Sequence, residues 1–330
     1  MATAGAEAAL ADDGAAVSPR GPMLGLDIGG TKLAAGVVDV DGAVHGFAVA
    51  PSEPGRGPGE GLARLFELGR GALEDAGVAI EAVGIGCGGP LDSERGVLIA
   101  PLHLAGWENV PVTDLASAAF DRPAVLDNDA TAAAAAEHRF GAGRGTRNMV
   151  YLTVSTGVGG GVILDGRVYR GSTGNGGELG HVTVDWHGRE CRGCGRRGCL
   201  EAYASGTSIA ERAHEAGLEG VTAADVAAGA RAGDPVALRV WEETCEALAC
   251  GITSLANLFE PELVVIGGGV SRAGEQLLEP VRALVHAQVL EPAERELGIV
   301  QAALGDSVGV VGAAAIAFER LAPGVAVGRG

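Results

Sequence analysis

The chain has 330 residues, of which 47% are hydrophobic and only 4% aromatic, and it contains 56 glycines. This length allows two domains with substantial cores, and the composition is typical of an α/β enzyme rich in alanine, glycine and tight turns. The formal net charge of −18 argues against a nucleic-acid partner, because no basic surface is available to neutralise a phosphate backbone. A nucleotide substrate would need a divalent cation to accompany it.

The start of the sequence does not have the pattern of a targeting segment. Residues 1–21 include acids and lack a basic n-region, so we expect a disordered extension here and no signal peptide. No run approaches the ~20 uninterrupted apolar residues of a membrane span, which predicts no membrane partner. Six cysteines without a secretion signal favour the reducing cytoplasm.

Strands and helices alternate along the first half of the sequence. Apolar runs that end at Gly-Gly or flank Asp-Gly predict strands, and Asp41-Gly42 is a typical hairpin turn. Periodic apolar segments predict the helices. The expected elements are, in chain order, strands over 23–28, 33–40 and 43–50, a helix over 61–76, strands over 80–86 and 124–127, and a helix over 130–139.

The pattern of the first half begins again near residue 150. The segment VYLTVSTGVGGGVILDGRV (150–168) repeats the arrangement of LGLDIGGTKLAAGVVDVDGAV (24–44): an apolar strand, a Gly-rich turn, a second strand and an Asp-Gly hairpin. This repeat predicts duplicated halves that face each other across a cleft. The remaining expected elements are helices over 206–217, 222–232 and 234–259, a strand over 263–266, and two helices capped by Ser271 and Ser307.

Three glycine-rich turns each follow an apolar strand and are candidates for binding phosphate groups, because glycine lets the backbone approach a phosphate closely. They are DIGGTK (27–32), STGVGGG (155–161) and GGGVS (267–271). Thr31 and Lys32 add a hydroxyl and a cation, and Asp27 can hold Mg²⁺ through water. None of the three has the pattern of a Walker A loop, and packing alone also produces turns of this kind.

Asn128 and Asp129 lie at the junction between an apolar strand and an alanine-rich helix. One interpretation is a helix N-cap, a position that Asn and Asp both favour. The other is a polar side chain that projects into a cleft, since two acids and an amide in a row are more than one cap needs.

The segment GELGHVTVDWHGRECRGCGRRGCLE (177–201) contains a complete tetrahedral ligand set for zinc, with no position left open, which is typical of a structural site. The candidate ligands are His181, Cys191, Cys194 and Cys199. Glycines between the cysteines allow the tight turns that bring thiolates together. A metal here would fix Glu178 and Glu201 and so help to build a pocket. The alternative is a disulfide or free thiols in a loop.

Six motifs occur in an order that resembles the ROK family of bacterial sugar kinases, over about residues 23–320. They are DIGGTK, NDA, STGVGGG, GELGH, the cysteine-rich C-G-x-x-G-C-L-E and PELVVIGGG. The resemblance implies an actin/hexokinase-like (ribonuclease H-like) α/β fold, with two domains around a central cleft. It also implies phosphorylation of a hexose by ATP, with glucokinase as the first expectation.

The resemblance implies how the chain is divided. We expect a small N-terminal α/β domain over 22–129 and a large C-terminal α/β domain over 130–306 that carries the zinc loop 181–199. The last helix, about 307–322, is expected to pack back on the small domain. A cytoplasmic homodimer or homotetramer is the expected assembly.

The resemblance also implies a role for each candidate residue, with Asp129 as the catalytic base that takes the proton from the sugar hydroxyl. The implied sugar-binding residues are Gly89, His103, Asn128, Asp129, Glu178, His181 and Glu201. The implied ATP-binding residues are Asp27, Gly29, Gly30, Thr31, Lys32, Thr156, Gly157, Gly159, Gly160, Gly267, Gly268 and Gly269. The implied cofactors are ATP, Mg²⁺ and a structural Zn²⁺. His181 would use one ring nitrogen for zinc and the other for the sugar.

The sequence departs from the family pattern in two places. The family usually has C-x-C-G-x-x-G-C, whereas Cys191 and Cys194 are one residue further apart, a spacing that zinc accepts. His103 stands where the family commonly has an Asn that touches the sugar, and imidazole is bulkier, with one donor and one acceptor. If His103 faces the pocket, an amino sugar such as N-acetylmannosamine, N-acetylglucosamine or kanosamine stays open as the substrate. The other orientation turns His103 away from the pocket.

Two other functional classes compete with the kinase hypothesis. Some family members are sugar-responsive transcriptional regulators with a winged helix–turn–helix ahead of the kinase-like part, and about 21 residues before the first strand are too few for one. A non-enzymatic sugar-binding or structural zinc protein would not need three phosphate-type turns. The arginine cluster at 189–197 is expected either to solvate the metal loop or to pair with acids across a dimer interface.

Overall fold

The computed structural model describes residues 21–291 and 297–321. The predicted N-terminal extension, apart from Gly21, lies outside the described residues, and so does residue 322 at the end of the predicted last helix. None of the helices in these two ranges is long and apolar enough to cross a bilayer.

Two five-stranded sheets with the same strand pattern form the framework. The strands are β1 (Met23–Ile28), β2 (Lys32–Val38), β3 (Val44–Pro51), β4 (Ala82–Cys87), β5 (Leu91–Asp92), β6 (Val97–Leu98), β7 (Ala124–Asn128), β8 (Met149–Val154), β9 (Val158–Leu164), β10 (Arg167–Val168), β11 (Leu263–Gly267) and β12 (Gly298–Gln301). The orders are β3-β2-β1-β4-β7 and β10-β9-β8-β11-β12, while β5 and β6 form a separate ribbon. In each sheet the first three strands are antiparallel and the remaining pairs are parallel. The sequence repeat therefore corresponds to two copies of one sheet topology.

Helices cover both sheets. They are α1 (Gly57–Ala76), α2 (Val112–Phe120), α3 (Asp129–Phe140), α4 (Glu201–Ala204), α5 (Gly206–Glu215), α6 (Ala223–Arg231), α7 (Pro235–Phe259), α8 (Glu275–His286) and α9 (Val308–Arg320). Short 3₁₀ helices occur at Pro54–Arg56, Leu179–His181, Val270–Ala273 and Gly305–Ser307. The predicted elements are present with ends shifted by a few residues, whereas α2, α4, β5, β6 and β12 were not predicted.

The predicted cap at Ser271 is wrong, and Ser307 stands at the N-cap position of α9 without making a cap hydrogen bond. Ser271 lies inside a 3₁₀ helix and donates its hydroxyl to the Gly268 carbonyl at 2.8 Å, while α8 begins four residues later at Glu275. The hydroxyl of Ser307 donates to the Leu304 carbonyl at 3.0 Å and caps no N–H of α9. In both cases a 3₁₀ turn before the helix offers a carbonyl three residues back, and the serine bonds to it instead.

Helix α3 lies between the two sheets. Ala132, Ala135 and Ala136 pack with the first sheet and α9, and Ala133 and Ala134 pack with the second sheet. All five alanines are buried. The alanine run therefore reflects a helix enclosed on opposite sides, where larger side chains would hold the sheets apart.

Helix α9 reaches the first sheet through close backbone contacts at glycines. A Cβ placed on Gly25 would lie 2.1 Å from the Val310 carbonyl oxygen, and one on Gly84 would lie 1.7 Å from that of Ala313. Gly312 gives the same close approach to α3, because its Cβ would lie 2.8 Å from Ala132. The last described helix thus packs on β1, β4 and α3.

A buried ion-pair network joins the two sheets and α9. Arg170, which follows β10, donates to Asp127 of β7 at 2.7 Å and to Glu319 of α9 at 3.0 Å. The side chain of Asp127 is fully buried, and that of Arg170 is 21% exposed. Burial raises the pKa of Asp127, although the charge and hydrogen bond of Arg170 oppose the shift. The Arg170 guanidinium is therefore the main group that compensates the buried negative charge of Asp127.

We expect Arg170→Met to lower the free energy of unfolding by about 3–5 kcal/mol, because Asp127 would be left buried without a counter-ion. Urea denaturation followed by circular dichroism measures this loss. Adding Asp127→Asn to the same chain should recover part of it. Arg147→Met is the matched control, since the Arg147–Asp165 pair is 75% and 79% exposed and its loss should change stability by less than about 0.5 kcal/mol. Equal losses in the two single variants would contradict the prediction.

Candidate active site

Three cavities lie in and beside the cleft between the sheets. The polar cavity, next to Glu178 and Glu201, has a volume of 740 Å³. The acidic cavity, next to Asp27 and Glu137, has 470 Å³. The apolar cavity, next to Val221, has 610 Å³.

The three cavities adjoin one another, because they share lining residues, and together they are called the trough. Ser155 lines all three, and Asp129 lines both the polar and the acidic cavity. Gly269 lines the acidic and the apolar cavity. A ligand could therefore extend from the apolar end to Asp129 while a second ligand fills the polar end.

Asp129 lies where the polar and acidic cavities meet, at the first position of α3. Asn128 caps this helix by accepting hydrogen bonds from the N–H groups of Ala130 and Thr131 at 3.0 and 3.2 Å. The Asp129 side chain is accessible from the cleft, and one oxygen accepts the Ala130 N–H at 2.8 Å. The protein around the carboxyl raises its pKa, while the Ala130 N–H and the charge of His103 act in the opposite direction. Asn128 is thus the cap, and Asp129 faces the cleft.

Asp27 at the end of β1 is a second carboxyl with an altered pKa. Burial, together with the charge of Asp129, raises the pKa of Asp27 to about 6, although Lys32 opposes the shift. Gly309 makes room for this carboxyl, since a Cβ there would lie 2.3 Å from Asp27 Oδ2. Two carboxylates beside one cavity are the hard oxygen donors that Mg²⁺ prefers, so this donor set fits the predicted magnesium.

Most of the predicted site residues come together around the cleft. Those lining the polar cavity are Gly29, Gly30, Thr31, Gly89, His103, Asn128, Asp129, Thr156, Gly157, Gly159, Gly160, Glu178 and Glu201. Those lining the acidic cavity are Asp27, Lys32, Asp129, Gly267, Gly268 and Gly269. Of the predicted sugar-binding residues, all within the described ranges, only His181 lines none of the three cavities.

His103 faces the polar cavity. A Cβ on Gly88 would lie 2.4 Å from His103 Cε1, and a Cβ on Gly30 would lie 2.9 Å from His103 Cβ. The two glycines therefore leave a slot that the imidazole occupies. Of the two orientations that the sequence left open, the structure has the one that points toward the ligand space.

The predicted metal ligands converge. The ligand atoms of His181, Cys191, Cys194 and Cys199 all lie within 4.8 Å of one another. The Cys191 sulfur is 3.7 Å from His181 Nδ1, and the sulfurs of Cys194 and Cys199 are 3.6 Å apart, far longer than a disulfide bond of about 2.05 Å. All six cysteines are in the described ranges and are free thiols. Three thiols and one imidazole fit tetrahedral zinc.

Glu201 connects this cluster to the polar cavity. Its Oε2 atom accepts the Val158 N–H at 3.0 Å, and its Oε1 atom lies 3.4 Å from the Cys191 sulfur. Gly193 leaves room for the carboxylate, because a Cβ there would lie 2.4 Å from Oε1. The orientation of Glu201 therefore depends on the cysteine loop.

The apolar cavity includes residues that the sequence did not single out. Its lining comes mainly from α5, α6 and the 3₁₀ helix Val270–Ala273, with Thr207, Val221, Ala227, Trp241 and Arg272 among the members. Apart from Arg231 and Arg272, the lining residues are small or apolar and occur in ordinary helical patterns. No local motif distinguishes them, so only the packing of the helices reveals the cavity.

Two arginines of the cluster at 189–197 form ion pairs within the chain. Arg189 donates to Glu215 at 2.7 Å, and Arg192 donates to Glu211 at 2.7 Å. Both acids belong to α5. The loop is therefore tied to α5, and these two arginines need no acids from another subunit.

Comparisons with known proteins agree with this geometry. The chain matches the ROK family over residues 23–320. The glucokinase of Thermotoga maritima is 36% identical over 92% of this chain and 99% of that protein. An N-acetylmannosamine kinase of Citrobacter koseri is 37% identical, over 89% of this chain and 98% of the relative. The crystal structure of a ROK family glucokinase from Streptomyces griseus, in complex with glucose and AMPPNP, is 34% identical and has a TM-score of 0.76, covering 90% of this chain and 99% of that one.

The pKa of Asp27 predicts a pH dependence of stability. The folded chain holds this proton more tightly than the unfolded chain, so the contribution of Asp27 to stability falls as the pH rises from about 4 to about 6. Asp27→Asn removes that dependence. The free energy of unfolding of the variant, relative to the original chain, should therefore increase by roughly 1–3 kcal/mol between pH 4 and pH 7 in urea denaturation.

Asp225→Asn is the control for this pH series. The Thr222 hydroxyl lowers the pKa of Asp225. The free energy of unfolding of this variant, relative to the original chain, should therefore fall as the pH rises. Parallel pH profiles for Asp27→Asn and the original chain would disprove the assignment of a raised pKa to Asp27.

Proposed function

This chain belongs to the ROK family, and we propose that it transfers the terminal phosphate of ATP to the 6-hydroxyl of a hexose, with glucose as the preferred acceptor. The position of Asp129, at the junction of the polar and acidic cavities, carries the proposal. A carboxylate at this point can contact an alcohol in one cavity and lie beside a phosphate in the other. The similarity to glucokinases over most of the chain supports the same activity.

We assign the polar cavity to the hexose. Sugar hydroxyls each donate and accept, so a selective pocket needs carboxylates and amides with fixed orientations. Glu201 has such an orientation because the Val158 N–H binds one of its oxygens and Cys191 contacts the other. Glu178, at the end of the glycine-rich segment 174–177, lines the same cavity.

We assign the role of general base to Asp129. It would accept the proton of the 6-hydroxyl while that oxygen attacks the terminal phosphorus. The hydrogen bond from the Ala130 N–H orients the carboxylate, and the rigid α3 beneath it holds the position. A raised pKa brings the carboxyl closer to the operating pH, where a general base is most effective.

We assign the apolar cavity to adenosine and the acidic cavity to the triphosphate. Lys32 and the backbone N–H groups of Gly267–Gly269 would contact phosphate oxygens in the acidic cavity, and the other two glycine turns would reach the terminal phosphate from the polar cavity. Asp27 and Asp129 are the residues that would hold Mg²⁺, directly or through water. When bound, Mg²⁺ neutralises phosphate charge during the transfer.

We also propose that His181, Cys191, Cys194 and Cys199 hold a structural Zn²⁺. The convergence of their four ligand atoms within 4.8 Å supports this assignment. The metal would keep the cysteine loop in place, and with it Gly193, which leaves room for the carboxylate of Glu201. The reducing cytoplasm, which keeps thiols available for zinc, is the expected location.

An amino-sugar kinase is the second candidate function. The N-acetylmannosamine kinase of C. koseri is 37% identical to this chain over 294 residues, and the glucokinase of T. maritima is 36% identical over 318 residues. In addition, His103 faces the polar cavity, and its imidazole is bulkier than the Asn common in the family and offers different hydrogen-bonding groups. The division into two domains at residues 129/130 and the homodimeric or homotetrameric state stay predictions.

Asp129→Asn tests the proposed chemistry. We expect the turnover number to fall by about 10²–10⁴-fold, because the amide cannot accept the proton, while the dissociation constant for glucose changes by less than about threefold. A coupled assay of ADP release measures turnover, and calorimetry measures glucose binding. Asp114→Asn is the matched control, since Asp114 lies in the first turn of α2 and lines none of the described cavities.

The same assay with a panel of about a dozen hexoses and amino sugars decides between the two candidates. Glucose with the highest kcat/KM supports the first, and N-acetylmannosamine or another amino sugar with the highest value supports the second. A chain that releases ADP with none of them is not a hexose kinase. Near-normal turnover by Asp129→Asn would show that another group is the base.

Cys194→Ser tests the zinc proposal. Elemental analysis should find about one zinc per chain in the original protein and much less in the variant. The KM for the hexose should rise more than the KM for ATP, because Glu201 depends on the cysteine loop. Cys250→Ala, a change at a cysteine outside the cluster, should keep the metal. Zinc-free protein after purification without chelators would contradict the proposal.

A further inference from the structure

Arg272 occupies a position between two of the cavities. It belongs to the 3₁₀ helix Val270–Ala273, directly after the glycine turn Gly267–Gly269, and it lines both the acidic and the apolar cavity. Its guanidinium forms an ion pair with Asp306, which lies in the 3₁₀ helix before α9 and lines the acidic cavity. The proposed function, on which the following inference rests, gives the mechanism no role for this pair.

The charges around the acidic cavity are unbalanced. Its described lining contains four carboxyl groups and two cationic side chains. The carboxyl groups belong to Asp27, Asp129, Glu137 and Asp306, and the cations are Lys32 and Arg272. A polyanion such as a nucleoside triphosphate would enter a cavity that already has excess negative charge. A cationic side chain that is paired with a protein acid therefore attracts the nucleotide more strongly once that ion pair is broken.

We propose that Arg272 binds a phosphate oxygen of the nucleotide and that Asp306 holds its guanidinium until the nucleotide arrives. The exchange is easy, because both partners are largely exposed, with 70% of the Arg272 side chain and 86% of the Asp306 side chain accessible. An ion pair with this exposure contributes little to stability. A guanidinium bound to a phosphate in two places forms a stronger, charge-assisted contact.

The other cations near the trough do not fit this role as well. Lys32 lies at the Asp27 end of the acidic cavity and does not line the apolar cavity. Arg231 lines only the apolar cavity, and its guanidinium donates to Gln276 at 2.6 Å. Within the described ranges, Arg272 is the one cation that lines both the adenosine and the phosphate parts of the trough. The Arg272 guanidinium is therefore placed to bind the phosphates nearest the nucleoside.

Asp306 then sets the affinity for the nucleotide. Removing it should free Arg272 and tighten binding, whereas removing Arg272 should weaken binding. A pair that only stabilises the fold would give losses in both variants. The opposite signs therefore distinguish a nucleotide-binding role from a structural one.

The test is a double-mutant cycle with calorimetric binding of Mg-ADP and of adenosine. Arg272→Ala should weaken Mg-ADP binding about tenfold and change adenosine binding by less than about twofold, because adenosine has no phosphate. Asp306→Asn should tighten Mg-ADP binding about threefold in the original chain and have no effect in the Arg272→Ala background. Arg147→Ala, which breaks an exposed ion pair at 2.6 Å elsewhere, should leave both affinities unchanged.

Two results would overturn the proposal. Equal weakening of adenosine and Mg-ADP by Arg272→Ala would mean that the side chain only shapes the apolar cavity. The second result is that Asp306→Asn tightens Mg-ADP binding by the same factor with and without Arg272. That result would mean that the Asp306 carboxylate acts only by repelling the phosphates. Because the assay needs no turnover, a chain that follows the predicted cycle but phosphorylates no hexose would reject the proposed function alone.

Discussion

The position of α3 between two β-sheets is the constraint on which the site depends. Its alanines allow both sheets and α9 to approach closely, so the helix axis cannot shift without disturbing three packing surfaces. Asp129, at the N-terminal end, is thereby fixed at the floor of the cleft without a long side chain or an ordered loop. Phosphoryl transfer depends mainly on positioning and charge stabilisation, so a base held by the core of the fold suits that chemistry.

The same arrangement concentrates negative charge. The surrounding protein raises the pKa of Asp27 and of Asp129, and Glu137 and Asp306 add two further carboxyl groups to the lining of the acidic cavity. Glu137 is compensated within the protein, because it accepts three backbone N–H groups, two of them from Ala303 and Leu304 ahead of α9. The remaining acids have few fixed cations near them. A cleft of this kind favours a ligand that brings its own metal ion. The binding of an anionic ligand also depends strongly on the few arginines and lysines at the edge of the cleft.

The local motifs predicted residues that the structure brings together. Glycine turns after strands, Asn128-Asp129 before a helix and the histidine–cysteine segment all indicate chemistry through short-range spacing, and the structure places them around one cleft or in one cluster. Other features had no short-range signature. The apolar cavity is built from unremarkable helical residues of α5 and α6, and the Arg272–Asp306 pair joins positions 34 residues apart. Ser271 caps no helix and Ser307 makes no hydrogen bond to a helix N–H, because each hydroxyl donates to a carbonyl oxygen of a 3₁₀ turn instead.

The sequence by itself determined the duplicated strand pattern, the family, the set of thiols and imidazole suited to zinc, and the carboxylate proposed as base. These are matters of residue type and spacing along the chain, which the backbone geometry converts directly into strands, turns and ligand sets. The tertiary structure alone decided that His103 faces the cavity, that His181 lies outside its lining, and that Arg170 joins the two sheets through Asp127. Each of these depends on which surfaces meet when the two sheets close around α3. Contacts between distant segments follow from packing in three dimensions, for which neighbouring residues carry no local pattern.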